Sequence, residues 1–137
     1  MKSAVRYYSK SGNTKQLAEA IAEAAGCAAR EIPASFNENV DILFLGAAVY
    51  WGGISPEVKT FIRGLDKSKV GKVVVFSTSA LAQRAFPQMQ KELAKAGVAV
   101  ETEDFYCRGQ FANLHRGRPD ESDLAAAREF ARRIIGR

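Results

Sequence analysis

Two apolar runs that never alternate with polar residues, 41–46 (DILFLG) and 72–77 (KVVVFS), most constrain what this chain can become. A strand with one wet face alternates, whereas one that is apolar position after position suits a parallel sheet covered on both sides. Helix patterns lie between and around the two runs. Residues 14–25 put Leu17, Ala18, Ile21, Ala22 and Ala25 on one face, with Gly26 as the stop. Ser55-Pro56-Glu57 supplies a cap and a proline at the first helical position, ahead of an inner face of Val58, Phe61 and Ile62 that ends at Gly64. A third helix runs to about Ala96, with Pro87 near its first turn, Met89, Leu93 and Ala96 inward, and Gly97 as its stop. Asp120 or Ser122 caps a last helix that turns Leu124, Ala127, Phe130, Ala131 and Ile134 to the core. Weaker strand patterns fall at 3–8, 27–32 and 98–106. The alternation predicts a doubly wound α/β fold of three layers, with a five-stranded parallel sheet in the order 2-1-3-4-5. In that order a crevice opens between the carboxyl ends of strands 1 and 3.

The least ordinary loops fall at those two ends. Ser9-Lys10-Ser11-Gly12-Asn13-Thr14 joins the first strand to the first helix and concentrates three hydroxyls, a glycine and an amide. First-turn N–H groups lack intrahelical acceptors and sit at the positive end of the helix dipole, so several donors there make an anion site. The plainer alternative is a helix cap by Asn13 or Thr14, which needs a single side chain. No G-x-x-x-x-G-K-[ST] or G-x-G-x-x-G run follows the strand, so the better-known nucleotide loops are absent. Neither cysteine lies in this loop, which argues against a cysteine-nucleophile phosphatase.

After strand 3 comes Gly46-Ala47-Ala48-Val49-Tyr50-Trp51-Gly52-Gly53, an aromatic pair among small residues. An exposed indole beside a crevice is a stacking platform for a flat ring, and paired glycines permit a peptide flip. Trp51 as a lid on the core, with the glycines merely turning the chain, is the alternative. Strand 4 ends at Ser77-Thr78-Ser79, whose amides and hydroxyls suit the polar edge of a ring or a simple cap.

The chain has 137 residues, 47% hydrophobic and 26% charged, which bounds it to a single globular domain, residues 1–137. Neither a membrane-length apolar run nor a signal peptide is evident, so a cytoplasmic protein is expected. Cys27, Cys107 and a lone His115 are too few for a disulfide framework or a metal centre. The net charge is +5, with a basic stretch at 108–118 carrying Arg108, His115, Arg116 and Arg118. That stretch is either a solvated loop or a surface for an acidic partner, and no basic–aromatic nucleic-acid motif accompanies it.

Tyr8-Ser9-Lys10-Ser11-Gly12-Asn13-Thr14 resembles the aromatic-[ST]-x-[ST]-G-N-T phosphate loop of flavodoxins and short flavodoxin-like domains. Tyr50-Trp51-Gly52-Gly53 with Ser55-Pro56 is similar to their second flavin loop, Ser77-Thr78-Ser79 to their third, and Cys107-x-Gly109-x-Phe111 to a later stretch. The resemblance implies noncovalent FMN and electron transfer between redox partner proteins, without a catalytic acid–base residue or a metal. It assigns Ser9, Lys10, Ser11, Gly12, Asn13 and Thr14 to the phosphate. Tyr50 and Trp51, flanked by Ala48 and Val49, fall to the ring face. Gly52 or Gly53 supplies a carbonyl that accepts from reduced N5, and Ser77, Thr78 and Ser79 border the pyrimidine edge. Two departures stand out: well-known flavodoxins are acidic, and their third loop often carries an Asp and a stacking Tyr that this chain lacks. The competing readings are an FMN oxidoreductase acting on a small acceptor of quinone or porphyrinogen type, and a flavodoxin-fold binding module without redox chemistry.

Overall fold

A computed structural model describes residues 2–10, 12–34, 38–49, 53–79, 85–109 and 117–136. In chain order the elements are β1 (Ser3–Tyr7), α1 (Asn13–Ala25), β2 (Ala29–Glu31), β3 (Val40–Val49), α2 (Pro56–Arg63), β4 (Val70–Ser79), α3 (Phe86–Lys95), β5 (Phe105–Arg108) and α4 (Glu121–Ile135). All neighbouring strands pair parallel, in the order β2-β1-β3-β4-β5 expected from the strand–helix alternation.

The unbroken apolar runs have the predicted cause, because side chains of opposite parity enter opposite cores. Ile42 and Phe44 of β3, with Val74 and Phe76 of β4, pack against Leu17 and Ile21 of α1 and Phe130 and Ile134 of α4. Leu43, Leu45, Val73 and Val75 face the other way, onto Val58 and Ile62 of α2 and Met89 and Leu93 of α3. Gly46 is glycine for space, since a Cβ there would overlap the Phe76 ring lying across it.

Several boundaries differ from the sequence-based expectation, each for a physical reason. β3 and β4 each extend over 10 residues. Their register continues through Ala48↔Thr78 and Val49↔Ser79, so ladder pairing overrides the weak strand preference of alanine and serine. The outer strand shrinks to Phe105–Arg108, preceded by one isolated bridge, Val73↔Val100. The intervening Glu101-Thr102-Glu103-Asp104 is polar and acidic, poor strand material. α2 starts as expected, with Pro56 in its first turn and Ser55 Oγ accepting from Val58 N at 3.4 Å. α4 is capped by Asp120 rather than Ser122, in a reciprocal capping box with Asp123.

The sheet also holds a charge that pattern reading does not flag. Arg6 of β1 is 5% exposed, stacked in register with Arg30. Its guanidinium donates to the carbonyls of Ala34 at 2.8 Å and Val5 at 2.9 Å, the condition for burying a cation. Burial foremost, and then the Arg30 charge, lower its pKa. Beside this region, on the same face, a largely apolar groove of about 670 Å³ runs along α2 between Tyr8, Ile32, Pro33, Phe61 and Leu65.

Candidate functional site

The first loop is built around the turn that starts α1. Tyr8 N–H donates to the Gly46 carbonyl at 3.1 Å, which ties the end of β1 to β3. Ser9 Oγ then accepts from Gly12 N–H at 3.0 Å and closes the turn. Gly12 has φ 89°, a left-handed conformation costly for residues with a Cβ, and it occupies the N-cap position itself. Capping by Asn13 or Thr14 is therefore corrected: both lie inside the helix, and among the described residues no side chain caps it. The first turn also carries no acidic residue. Among the described residues this helix start has no side-chain cap acceptor and no carboxylate in its first turn, the condition under which first-turn amides and the helix dipole suit an anion. Ser9 still has its own proton to donate, because its bond to Gly12 uses only a lone pair.

Thr14 is fully buried, and its hydroxyl meets the Thr78 hydroxyl at 3.0 Å. The bond joins α1 to β4 across the face shared with Phe76. Ser11 lies outside the described residues.

Of the second loop, Ala48 and Val49 belong to the end of β3 rather than to a loop, and Ala48 is buried. Tyr50, Trp51 and Gly52 lie outside the described residues. Gly53 has φ 144°, and a Cβ there would lie 2.5 Å from Gln88 Oε1. That same oxygen accepts from Ile54 N–H at 2.8 Å, so α3 holds the return of this loop through Gln88. Nothing in the sequence marks Gln88 for this task, since it reads as one more polar position on a helix.

Ser77, Thr78 and Ser79 complete β4 instead of forming a turn, and all three are buried. Ser77 Oγ accepts from Ala85 N–H at 3.5 Å, and the Ser79 carbonyl accepts from Gly109 N–H at 3.3 Å. Gly109, directly after β5, allows close packing on α1: a Cβ would come within 2.7 Å of Asn13 Nδ2. The carboxyl ends of β1, β3, β4 and β5 thus converge around the first turn of α1. Lys10, on the loop itself, is exposed.

The ionisable groups nearby are quiet. Burial, and secondarily the Asp123 charge, push the Cys107 thiol up to about 12, so it stays protonated at neutral pH. Cys27 is raised by burial and opposed by Arg6. Arg118 makes a fork to Asp123, at 2.5 Å from Nε and 2.7 Å from Nη2. That hydrogen bond is the chief cause holding the Asp123 carboxyl below its usual value and the Arg118 guanidinium above its own. Of the cations expected to face an acidic partner, Arg118 is therefore neutralised internally. Arg108 lies over the Tyr106 ring at 5.4 Å, and Arg116 lies outside the described residues. Among the described residues no group of three His, Cys, Asp or Glu is disposed to hold a metal, and no helix is long and apolar enough to cross a membrane.

Comparison with known proteins agrees with this geometry. A family model described as a flavodoxin domain matches residues 4–111. An uncharacterized protein of Methanocaldococcus jannaschii is 26% identical over 137 aligned positions, covering 90% of each chain. A flavodoxin from the domain Archaea superposes with a TM-score of 0.78 at 16% identity, covering 99% of this chain and 97% of the other. Oxidised flavodoxin 2 from Bacillus cereus gives 0.67 at 22% identity, covering 96% and 95%.

Proposed function

The chain belongs to the flavodoxin domain family, and on that premise we propose that it binds FMN noncovalently and carries electrons between redox partners. The observation that carries this reading is the uncapped first turn of α1, free of carboxylates and set where four strand ends meet. The donors present there suit a phosphate monoester. The first-turn amides and the Ser9 hydroxyl supply neutral hydrogen bonds, and no acidic side chain of the first turn opposes a dianion.

In this reading Ser9, Lys10, Ser11, Gly12, Asn13 and Thr14 form the phosphate end of the site. Tyr50 and Trp51 take a face of the flavin ring, and Ala48, Val49, Gly52 and Gly53 shape the wall beside it. Ser77, Thr78 and Ser79 border the opposite side. The flavin, when bound, supplies the redox chemistry. The chain's own residues bind it, orient its ring and limit the access of water. Nothing here calls for a protein acid or base, and the protonated Cys107 thiol is unsuited to serve as a nucleophile. With a net charge of +5, the docking partner is acidic on its contact face, and Arg118 adds little to that attraction because Asp123 holds it.

The test is a titration of the purified chain with FMN, followed by flavin absorbance and fluorescence. Saturable quenching with a shifted visible spectrum is expected. An unchanged flavin spectrum with the protein in large excess over FMN would sink the reading. Multiple turnover of a small acceptor by the loaded protein, with no partner present, would instead make it an oxidoreductase.

A further inference from the structure

We propose that Thr78 and Gly109 are positioning residues of the phosphate site, acting through Thr14 and Asn13 rather than on the ligand. The inference rests on the FMN reading above, but it reassigns Thr78 from the ring edge to the far end of the cofactor. Three observations carry it. Thr78 is 2% exposed, and its hydroxyl bonds at 3.0 Å to Thr14 at the first turn of α1. In β4 the parity of Thr78 is that of Val74 and Phe76, so it faces the core under α1 and away from the side that Ser77 and Ser79 face. An added Cβ at Gly109 would lie 2.7 Å from Asn13 Nδ2 and 3.2 Å from its Cβ, so a side chain there must displace the Asn13 side chain, while the Gly109 N–H is tied to the Ser79 carbonyl.

The consequence follows from what an anion needs. A phosphate held by backbone amides is held well only if those amides keep their direction. The amides at stake belong to the turn that Thr14 and Asn13 begin. Besides the Ser9 bond to Gly12 N–H, that turn is backed by β4 through the Thr14–Thr78 bond and by the end of β5, where Gly109 packs on Asn13. Both buried hydroxyls have one proton and two lone pairs. A dianion at the first turn favours the proton order in which Thr78 donates to Thr14. Removing either partner alone leaves the other hydroxyl buried without its bond, the costly half of a hydrogen-bond deletion.

The test compares FMN with riboflavin, which has the same ring system and lacks the phosphate, on wild type, Thr78→Val, Thr78→Ser and Gly109→Ala. Thr78→Val is expected to weaken FMN about tenfold, equivalent to about 1.4 kcal/mol, while riboflavin affinity stays within twofold. Thr78→Ser keeps the hydroxyl and is expected to restore FMN binding. Gly109→Ala is expected to act like Thr78→Val by displacing Asn13, and it keeps the proposal testable if the valine variant does not fold. Equal losses for FMN and riboflavin would reduce the pair to a general structural role and overturn the proposal, as would unchanged FMN affinity in both Thr78→Val and Gly109→Ala. Wild type that binds neither flavin would bring down the functional reading itself, a result separate from any mutant effect.

Discussion

At the scale of single residues, the site depends on positions whose importance is set by what lies across from them. In the sequence Gly46 closes the apolar run 41–46 and opens the stretch that joins it to the second helix. In the fold it lies within β3, and its missing side chain is the space the Phe76 ring fills. Gly46→Ala is therefore expected to destabilise by about 1–3 kcal/mol, the usual range for overpacking, as read from urea midpoints. Gly46→Ala combined with Phe76→Leu should recover part of that loss, because the clash is with the ring. Thr14 and Asn13 were legible as special residues, from the density of hydroxyl and amide groups before a helix. Their partners were not. Thr78 and Gly109 stand 64 residues or more along the chain from Thr14, and only the sheet order brings them together. Gln88 carried no signal at all, since its bond to Ile54 depends on where α3 comes to rest.

At the scale of elements, legibility followed burial. The centres of β3 and β4 show in the sequence because both faces are covered, whereas their carboxyl ends look like loop there because alanine and serine give no strand signal by themselves. Helix starts are legible where a side chain does the capping, as at Ser55, and obscured at α1, where a left-handed glycine takes that position. α4 offers a test of capping energetics. Asp123 accepts from Asp120 N–H at 2.8 Å and from Arg118, so its folded pKa lies below its unfolded one. A carboxyl depressed in this way contributes stability above its unfolded value, near pH 4, and loses it as the pH falls through the lower folded value. Asp123→Ala should therefore cost about 1 kcal/mol at neutral pH. Its unfolding midpoint should converge on that of wild type as the solution is acidified below about pH 4. A gap that stays constant from pH 7 to pH 3 would mean that the charge on Asp123 is immaterial.

At the scale of the whole molecule, the predicted layer arrangement and strand order were correct, because alternating strands and helices admit few ways of covering both faces of a parallel sheet. The ligand, if it is FMN, touches the ends of several strands and so should stabilise the chain globally. At a free concentration 100 times its dissociation constant it adds about 2.7 kcal/mol. For a domain of this size that corresponds to a rise of roughly 8 °C in Tm. Riboflavin at the same multiple of its own dissociation constant should raise Tm equally. At matched concentration it should do less, if the phosphate end holds much of the affinity. Scanning calorimetry with each flavin checks both statements.

The bond between Thr14 and Thr78 also places the site in time. While a ribosome is still making this chain, α1 emerges early, but β4 and then Gly109 must follow before the first turn of α1 has its supports. A nascent chain that stops short of β4 has the phosphate-loop sequence without the pocket. On the FMN reading, a flavin would find its phosphate end formed only after β4 and Gly109 have joined the sheet.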